Sequence, residues 1–565
     1  MKKLRVGFLV DNLSPSIYVN ELIEFVDQTN DFDRPIIITG YKRPAPEKSL
    51  FQKVIDKAKQ GPNKFLDAFI WLFLHKLIRI LEEKTAKRVF PKYLSNYKIK
   101  NIDELKITSI NGSWSKSSLF LELTEEDIVT ISGCELDCII RCGSGILRGD
   151  ILDIPKFGVI SFHHGDNRVN RGGPSGFWEV LNDEPSSGFV IQKLNQELDG
   201  GEVLIRGNLM TAKRWLINNA QLLEKSNTFM MKLLQELALN GKLPAPEGVR
   251  LHSNKLYRLD SKILLVKYLW NIHLPAKFRW LVSRLTSPLH TRWSVAYNYH
   301  DRFSKSLWRY MEIKNPKGRY LADPFVVENN GENFIFVEDL FFNDFKGRIS
   351  VIKVTGQKYD FLGVVLEEDF HLSFPFVFKD GKDIYMIPES CANDDIRLYK
   401  SKEFPLKWEF EQQLMTNVDA ADTMLFKHDN LWFMLTNICS AKIDDHQSEL
   451  HIFYSEDFRS GKWQPIKSGN PVVFNSLKGR NGGFFRHNGA LYRINQIHGK
   501  GHYGKSFNIN RIEVLSRNQY VEKEVSLIEP NFKDASISTH HFHANENVAA
   551  VDYGRLVRLK KALRN

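Results

Sequence analysis

The chain has 565 residues, too many for a single hydrophobic core, so about two to four domains of ordinary size are expected. Its 42% hydrophobic and 26% charged residues exclude a disordered chain and supply enough apolar surface for sizeable cores. The net charge of +11 is spread along the whole chain and no RNA-binding signature of the RRM or zinc-knuckle kind occurs, so nucleic acid is not expected as a partner.

The N-terminus, MKKLRVGFLVDNLS, has a basic start but only a short apolar stretch before Asp11. It reads as a first β-strand and not as a signal peptide, and a cytoplasmic protein is expected. Residues 4–11 (LRVGFLVD) form an apolar run, Ile17 to Val26 has helical spacing, and Arg34 to Gly40 (RPIIITG) is a second apolar run, which together open a βαβ unit. A helical, Lys-rich insertion follows over about residues 45–100. Within it, Phe65 to Leu81 is interrupted by Asp67, His75, Lys76 and Arg79, which makes it an amphipathic helix and not a membrane span. Its aromatic positions (Phe65, Phe69, Trp71, Phe73) and its cations (Lys64, Lys76, Arg79) suit a helix lying on a bilayer surface, so peripheral contact with the inner face of the membrane is one expectation. Packing on the domain's own sheet or on a second subunit is the other.

Regular patterning resumes with Leu105 to Ile110, a short helix opened by Thr124-Glu125-Glu126, then Leu136 to Arg141 and Phe157 to Phe162. Strands alternating with helices imply a parallel sheet. Cys134, Cys138 and Cys142 recur every four residues beside Ile139 and Ile140, and the five cysteines form no CxxC pair. They are read as packed thiols of a reducing compartment, and no metal is expected. From Thr211 to Gly241 the apolar positions follow helical spacing and Gly241 stops the helix, closing a first domain over 1–245. Residues 246–304 mix Leu, Trp and basic residues and are expected to form a helical connector.

Beyond Lys305 helical spacing gives way to short β-branched and aromatic runs separated by turns. Asn330-Gly331, Asp380-Gly381, Asp429-Asn430, Asn488-Gly489 and Asn545 each precede an apolar strand. These hairpins recur about every 50 to 60 residues, which predicts a five-bladed β-propeller over 305–560.

The chemistry is concentrated in Gly158 to Leu204, GVISFHHGDNRVNRGGPSGFWEVLNDEPSSGFVIQKLNQELDGGEVL. Gly158, His163, Arg171, Gly172, Trp178, Leu181-Asn182, Gly188, Leu198-Asp199, Gly201 and Leu204 stand without a gap in the register of the formyltransferase family, which this stretch resembles. The resemblance implies an α/β Rossmann-like domain that takes a formyl group from 10-formyltetrahydrofolate as co-substrate. An amine attacking a formyl carbon needs a hydrogen bond to the carbonyl oxygen and a base for its proton. By resemblance His163 is the catalytic imidazole and Asp199 the carboxylate that orients it. The family's oxyanion-binding Asn falls on Ser161 here, a shorter donor, and the loss of such a donor costs roughly 100- to 1000-fold in rate. The resemblance further places Cys142, Gly143, Ser144, Gly145 and Ile146 at the pterin, and His164, Arg171 and Gly172 at the acceptor.

In the β-rich half, LADPFVVENNGENFIFVED, HLSFPFVFKDGKDIYMIPES, VDAADTMLFKHDNLWFMLT, RNGGFFRHNGALYRINQ and THHFHANENVAAVDYG are similar to the propeller domain of plant glucosamine inositolphosphorylceramide transferases, and more distantly to five-bladed glycosidases. Asp323, Glu389, Asp422, His541 and His543 fall at strand ends, where a propeller gathers its central site, and are expected to bind sugar. The expected function is formyl transfer to an amine, on an amino sugar or a lipid-linked glycan in surface-glycan biosynthesis. Two alternatives stand: a catalytically altered formyltransferase fold whose propeller binds glycan, and a propeller with glycosidase or glycosyltransferase-accessory activity.

Overall fold

The computed structural model describes residues 3–41, 55, 59, 61–115, 119–169, 172–197, 200–248, 256–285, 289–299, 306–441 and 446–558. They fall into two compact units, one spanning 1–277 and one spanning 278–440 and 444–565.

The first unit is built on a seven-stranded sheet: β1 (Val6–Leu9), β2 (Ile36–Thr39), β3 (Lys106–Ser109), β4 (Cys138–Arg141), β5 (Val159–His163), β6 (Ser186–Lys193) and β7 (Glu202–Met210). The strand order is β7-β6-β5-β4-β1-β2-β3. Strands β1 to β5 pair in parallel, as the alternation of strands and helices predicts. The last two do not: β6 runs antiparallel to β5, and β7 returns as its hairpin partner. The central strands are buried on both faces, with Val6, Phe8, Ile37, Ile139, Ile140, Val159 and Ile160 fully enclosed, which is why they read as continuous apolar runs. Chain order reverses between β1 and β4, and the carboxyl ends flanking such a switch point open into a crevice.

Helix Ile17–Gln28 and helix Trp215–Asn240 pack against each other, the second ending at Gly241 in the left-handed conformation (φ 65°). The insertion folds as helix Pro62–Val89. Its inner face sets Trp71, Leu74 and Ile78 into a cluster with Phe177, Trp178, Leu265 and Tyr268. Its Glu82 is fully buried, accepts from the Tyr268 hydroxyl at 3.0 Å and from the Leu216 amide at 3.2 Å, and pairs with His273 at 3.0 Å. Among the described residues no helix is long and apolar enough to cross a membrane.

The segment 246–304 is helical over Lys262–Tyr268 and Leu274–Leu285, but Leu289–Tyr299 is a strand. It buries Trp293 through Tyr297 and pairs along its whole length with Val548–Arg558. The β-branched and aromatic residues of RWSVAYNY follow directly on a basic helical run, which masks the change of period.

The second unit is all β. Antiparallel meanders begin at Arg319–Asn329, Ser373–Asp380, Ala420–His428 and Asn481–His487, and the last of these belongs to a nine-stranded sheet that also holds Leu289–Tyr299 and Val548–Arg558. Three hairpins turn on the pairs marked in the sequence, Asn330-Gly331, Asp429-Asn430 and Asn488-Gly489, each with both residues at positive φ, as type I′ turns require.

Candidate active site

In the first unit the crevice is assembled from strand ends. Asp11 follows β1, Arg141 ends β4 and His163 ends β5. Asp11 clasps the loop after β4: the Ser144 amide donates to its Oδ1 at 2.7 Å, the Ser144 hydroxyl donates to its Oδ2, and the Tyr41 hydroxyl donates to Oδ1 at 3.1 Å. The loop's glycines have packing reasons. A Cβ on Gly143 would meet the Tyr41 hydroxyl at 2.1 Å, and one on Gly145 the Trp114 ring at 2.4 Å.

Two cavities meet at His163. The first, of about 200 Å³, is lined by Arg141, the run Gly145 to Arg148, Ser161, His163, Gln192 and Leu194 to Glu197. The second, of about 220 Å³, is lined by Phe162 to Gly165, Gly172-Gly173, Ser175-Gly176 and Trp178. The residues expected at the pterin therefore divide. Gly145 and Ile146 line the first cavity, Ser144 is turned onto Asp11, and burial pushes the Cys142 thiol up to about 12. Gly172 lines the second cavity, where a Cβ would stand 2.1 Å from the Tyr257 carbonyl oxygen and where its own carbonyl accepts from the Trp178 indole at 3.2 Å.

His164 borders the second cavity, but its ring stacks on Phe162 and its Nε2 lies 3.1 Å from the Ser226 hydroxyl. Enclosure, with the neighbouring His163, lowers its pKa to about 3, so the ring is neutral. Arg171 and Asp199 lie outside the described residues. The loop that carries Asp199, between β6 and β7, borders the first cavity on both sides through Glu197 and Gly201. Ser161 is buried and directly opposite Arg141 in the β4–β5 register, with Arg141 Nη1 3.5 Å from its Oγ. Asp11 and Arg141 escaped the sequence reading, and the available signal was a charged residue ending an apolar strand.

In the second unit the inner strand of each meander carries a bulge: between Ala322 and Phe325, Ser373 and Phe376, Ala421 and Met424, and Asn481 and Phe484. Asp323 and Asp422 occupy two of these bulges at φ 49°, a conformation that costs a non-glycine residue on the order of 1–3 kcal/mol and clusters at functional sites. Arg480 joins the carboxylates, with Nε 2.6 Å from Asp422 and Nη2 3.5 Å from Glu389. The Asp422 and Glu389 carboxyl groups also hydrogen-bond each other. Burial pushes Asp422 well up, while Arg480 overcomes the burial of Glu389 and holds it low. The Arg480 guanidinium lies 5.5 Å from the ring of Tyr503, which is 46% exposed.

Asp323, His540 and Asp552 bring one ligand atom each within 4.8 Å of one another, the spacing of a cation site. His540 already fills that role. Burial would lower its pKa, but Asp552, 2.6 Å from Nδ1, and Asp323 outweigh it and raise it to about 9, so an imidazolium stands between the two carboxyl groups. His541 is fully buried, 3.5 Å from Asp323. His543 is not brought to this cluster: its Nδ1 accepts from the Val326 amide at 3.1 Å, and burial holds it at about 3 among Phe325 and Phe484.

Comparison with known proteins divides along the same line. Residues 310–549 match the family model described as glucosamine inositolphosphorylceramide transferase 1, N-terminal. Glucosamine inositolphosphorylceramide transferase 1 of Oryza sativa subsp. japonica is 35% identical over 213 residues, 37% of this chain and 28% of that protein, so the chain spans less than a third of the relative's length. Methionyl-tRNA formyltransferase of Clostridium beijerinckii is 23% identical over 207 residues, 36% of this chain and 64% of that protein. Among solved structures, the catalytic domain of Coprinopsis cinerea GH62 α-L-arabinofuranosidase aligns with 46% of this chain and 97% of its own at 10% identity and a TM-score of 0.31. The first unit is thus a formyltransferase-like α/β fold, and the second an all-β region similar to part of the plant transferases.

Proposed function

We propose that the first unit transfers a formyl group from 10-formyltetrahydrofolate to the amine of an amino sugar during surface-glycan biosynthesis. The observation that carries this reading is the position of His163 as the common wall of two cavities, one for a donor and one for an acceptor. The residues of the first cavity suit the folate: Ile146, Leu147 and Leu194 offer apolar surface to a flat ring, and Gln192 offers an amide to its polar edge. The co-substrate supplies an activated formyl carbon. His163 takes the proton of the attacking amine, and Asp199, by its place in the motif, orients the imidazole. The second unit we read as a five-bladed propeller that binds the glycan through Asp323, Glu389 and Asp422, with the Tyr503 ring as an apolar platform.

The acceptor is proposed to be lipid-linked, and the outer face of helix Pro62–Val89 to rest on the inner membrane surface. That face leaves Phe65, Leu66, Phe69 and Phe73 between 39% and 59% exposed. Sedimentation with anionic liposomes checks this: a bound fraction at low salt that Lys76→Glu with Arg79→Glu removes is the expected result, and no bound fraction sinks the idea. For the formyl-transfer reading, calorimetric titration with a stable folate analogue is decisive. Binding supports the enzyme, and its absence favours a scaffold built on the same fold.

A further inference from the structure

Ser161 stands where the formyltransferase pattern has a carboxamide, and its hydroxyl does not replace that donor. It donates to the Phe162 carbonyl at 3.3 Å, so its proton is turned onto the backbone. The neighbouring strand supplies another group. Arg141 is the register partner of Ser161, lines the same cavity as His163, and rests Nη1 on the serine oxygen at 3.5 Å.

The surroundings of this guanidinium are unusual for a structural arginine. Its Nε is buried without a hydrogen-bond acceptor, and no carboxylate among the described residues lies within ion-pair distance of it. Asp11, the nearest acid by its electrostatic influence, is already committed to Ser144 and Tyr41. A cation largely removed from water with no anionic partner is costly to keep. A negative charge that appears in the cavity only during reaction would repay that cost.

Building on the formyl-transfer reading, we infer that Arg141 replaces the missing carboxamide as the catalytic donor to the oxygen of the reacting formyl group. As the acceptor nitrogen's lone pair bonds to the formyl carbon, the carbonyl π pair moves onto oxygen, and the guanidinium N–H groups meet the charge developing there. The nitrogen's proton passes to His163. When the pair returns to re-form the carbonyl, the bond from the formyl carbon to the donor nitrogen breaks, and that nitrogen takes the proton. A serine at 161 leaves room for the guanidinium where a longer side chain would displace it.

The test needs no knowledge of the acceptor, because water attacking the same carbon passes through the same charge. Hydrolysis of 10-formyltetrahydrofolate to tetrahydrofolate and formate is followed, and the affinities of two stable folate analogues, one with an aldehyde at the formyl position and one without, are measured by calorimetry. Wild type is expected to prefer the aldehyde analogue by about tenfold or more, the worth of a charged hydrogen bond. Arg141→Met should abolish that preference and slow hydrolysis by about 100- to 1000-fold. Ser161→Asn added to Arg141→Met should restore part of both. If Arg141→Met keeps preference and hydrolysis, the inference on Arg141 fails while the formyl-transfer reading stands. If wild type binds neither analogue, the formyl-transfer reading fails and takes the inference with it. Should Arg141→Met not fold, Arg141→Lys decides, since it keeps the charge but not the planar fork: an unchanged preference and rate overturn the inference, and a loss of about tenfold in each supports it.

Discussion

His163 and His164 are adjacent in the chain, yet one ends β5 and the other follows it, and they do different work. His163 faces two cavities, while His164 is clamped between Phe162 and Tyr18 and tied to Ser226. His163→Ala is expected to lower formyl transfer by about 100-fold or more with an unchanged melting temperature. His164→Gln should do the reverse, costing stability while leaving the pH dependence of turnover in place. Steady-state rates and thermal melts on both variants separate the two roles. The motif residues were legible because the stretch from Gly158 to Leu204 keeps one spacing. Asp11, Tyr41, Trp114 and Arg141 were not, because they come from separate points of the chain and meet only when the parallel strands align. The glycines at 143 and 145 show the limit of such reading. Their place beside a ligand loop was visible, but the Tyr41 hydroxyl and Trp114 ring that forbid a side chain there were not.

At the level of strands and turns, the recurring Asn-Gly and Asp-Asn pairs announced the hairpins of the second unit, since these residues accept the two positive φ angles of a type I′ turn. The bulges on the inner strands carry no comparable signal. A two-residue bulge lets Asp323 and Asp422 leave the alternation of their strands, and a period of two cannot show where it is broken. Arg480, which anchors the Asp422–Glu389 pair, precedes the strand Asn481–His487 and looks in sequence like an ordinary turn cation. Arg480→Met would leave two buried carboxyl groups without their cation and is expected to destabilise the protein by about 3–5 kcal/mol, measured by urea unfolding. Arg480→Lys should cost less, because a charge remains within reach of Asp422. Equal losses for the two variants would show that packing, and not charge, accounts for the arginine.

For the molecule as a whole, buried histidines bound the pH range of stability from both sides. His540 is raised from 6.5 to about 9, so its contribution is complete below pH 6.5 and is lost as pH rises through about 9. His164 and His543 are held at about 3, so the unfolded chain takes up protons first and stability falls as pH drops from 6.5 toward 3. Thermal melting between pH 4 and 10 should show both limbs, and His540→Gln should flatten the alkaline one alone. The two similarities found for this chain belong to different units, and neither relative's name describes the whole. The pairing of Leu289–Tyr299 with Val548–Arg558 has a consequence for how the second unit comes into being. The strand made first must wait for the strand made last, so during synthesis the meanders between them emerge with one edge open. Such long-range closure is the slow part of folding. A translational pause or a clipped tail before Val548 would leave the edge of Leu289–Tyr299 exposed to pairing with a second nascent chain.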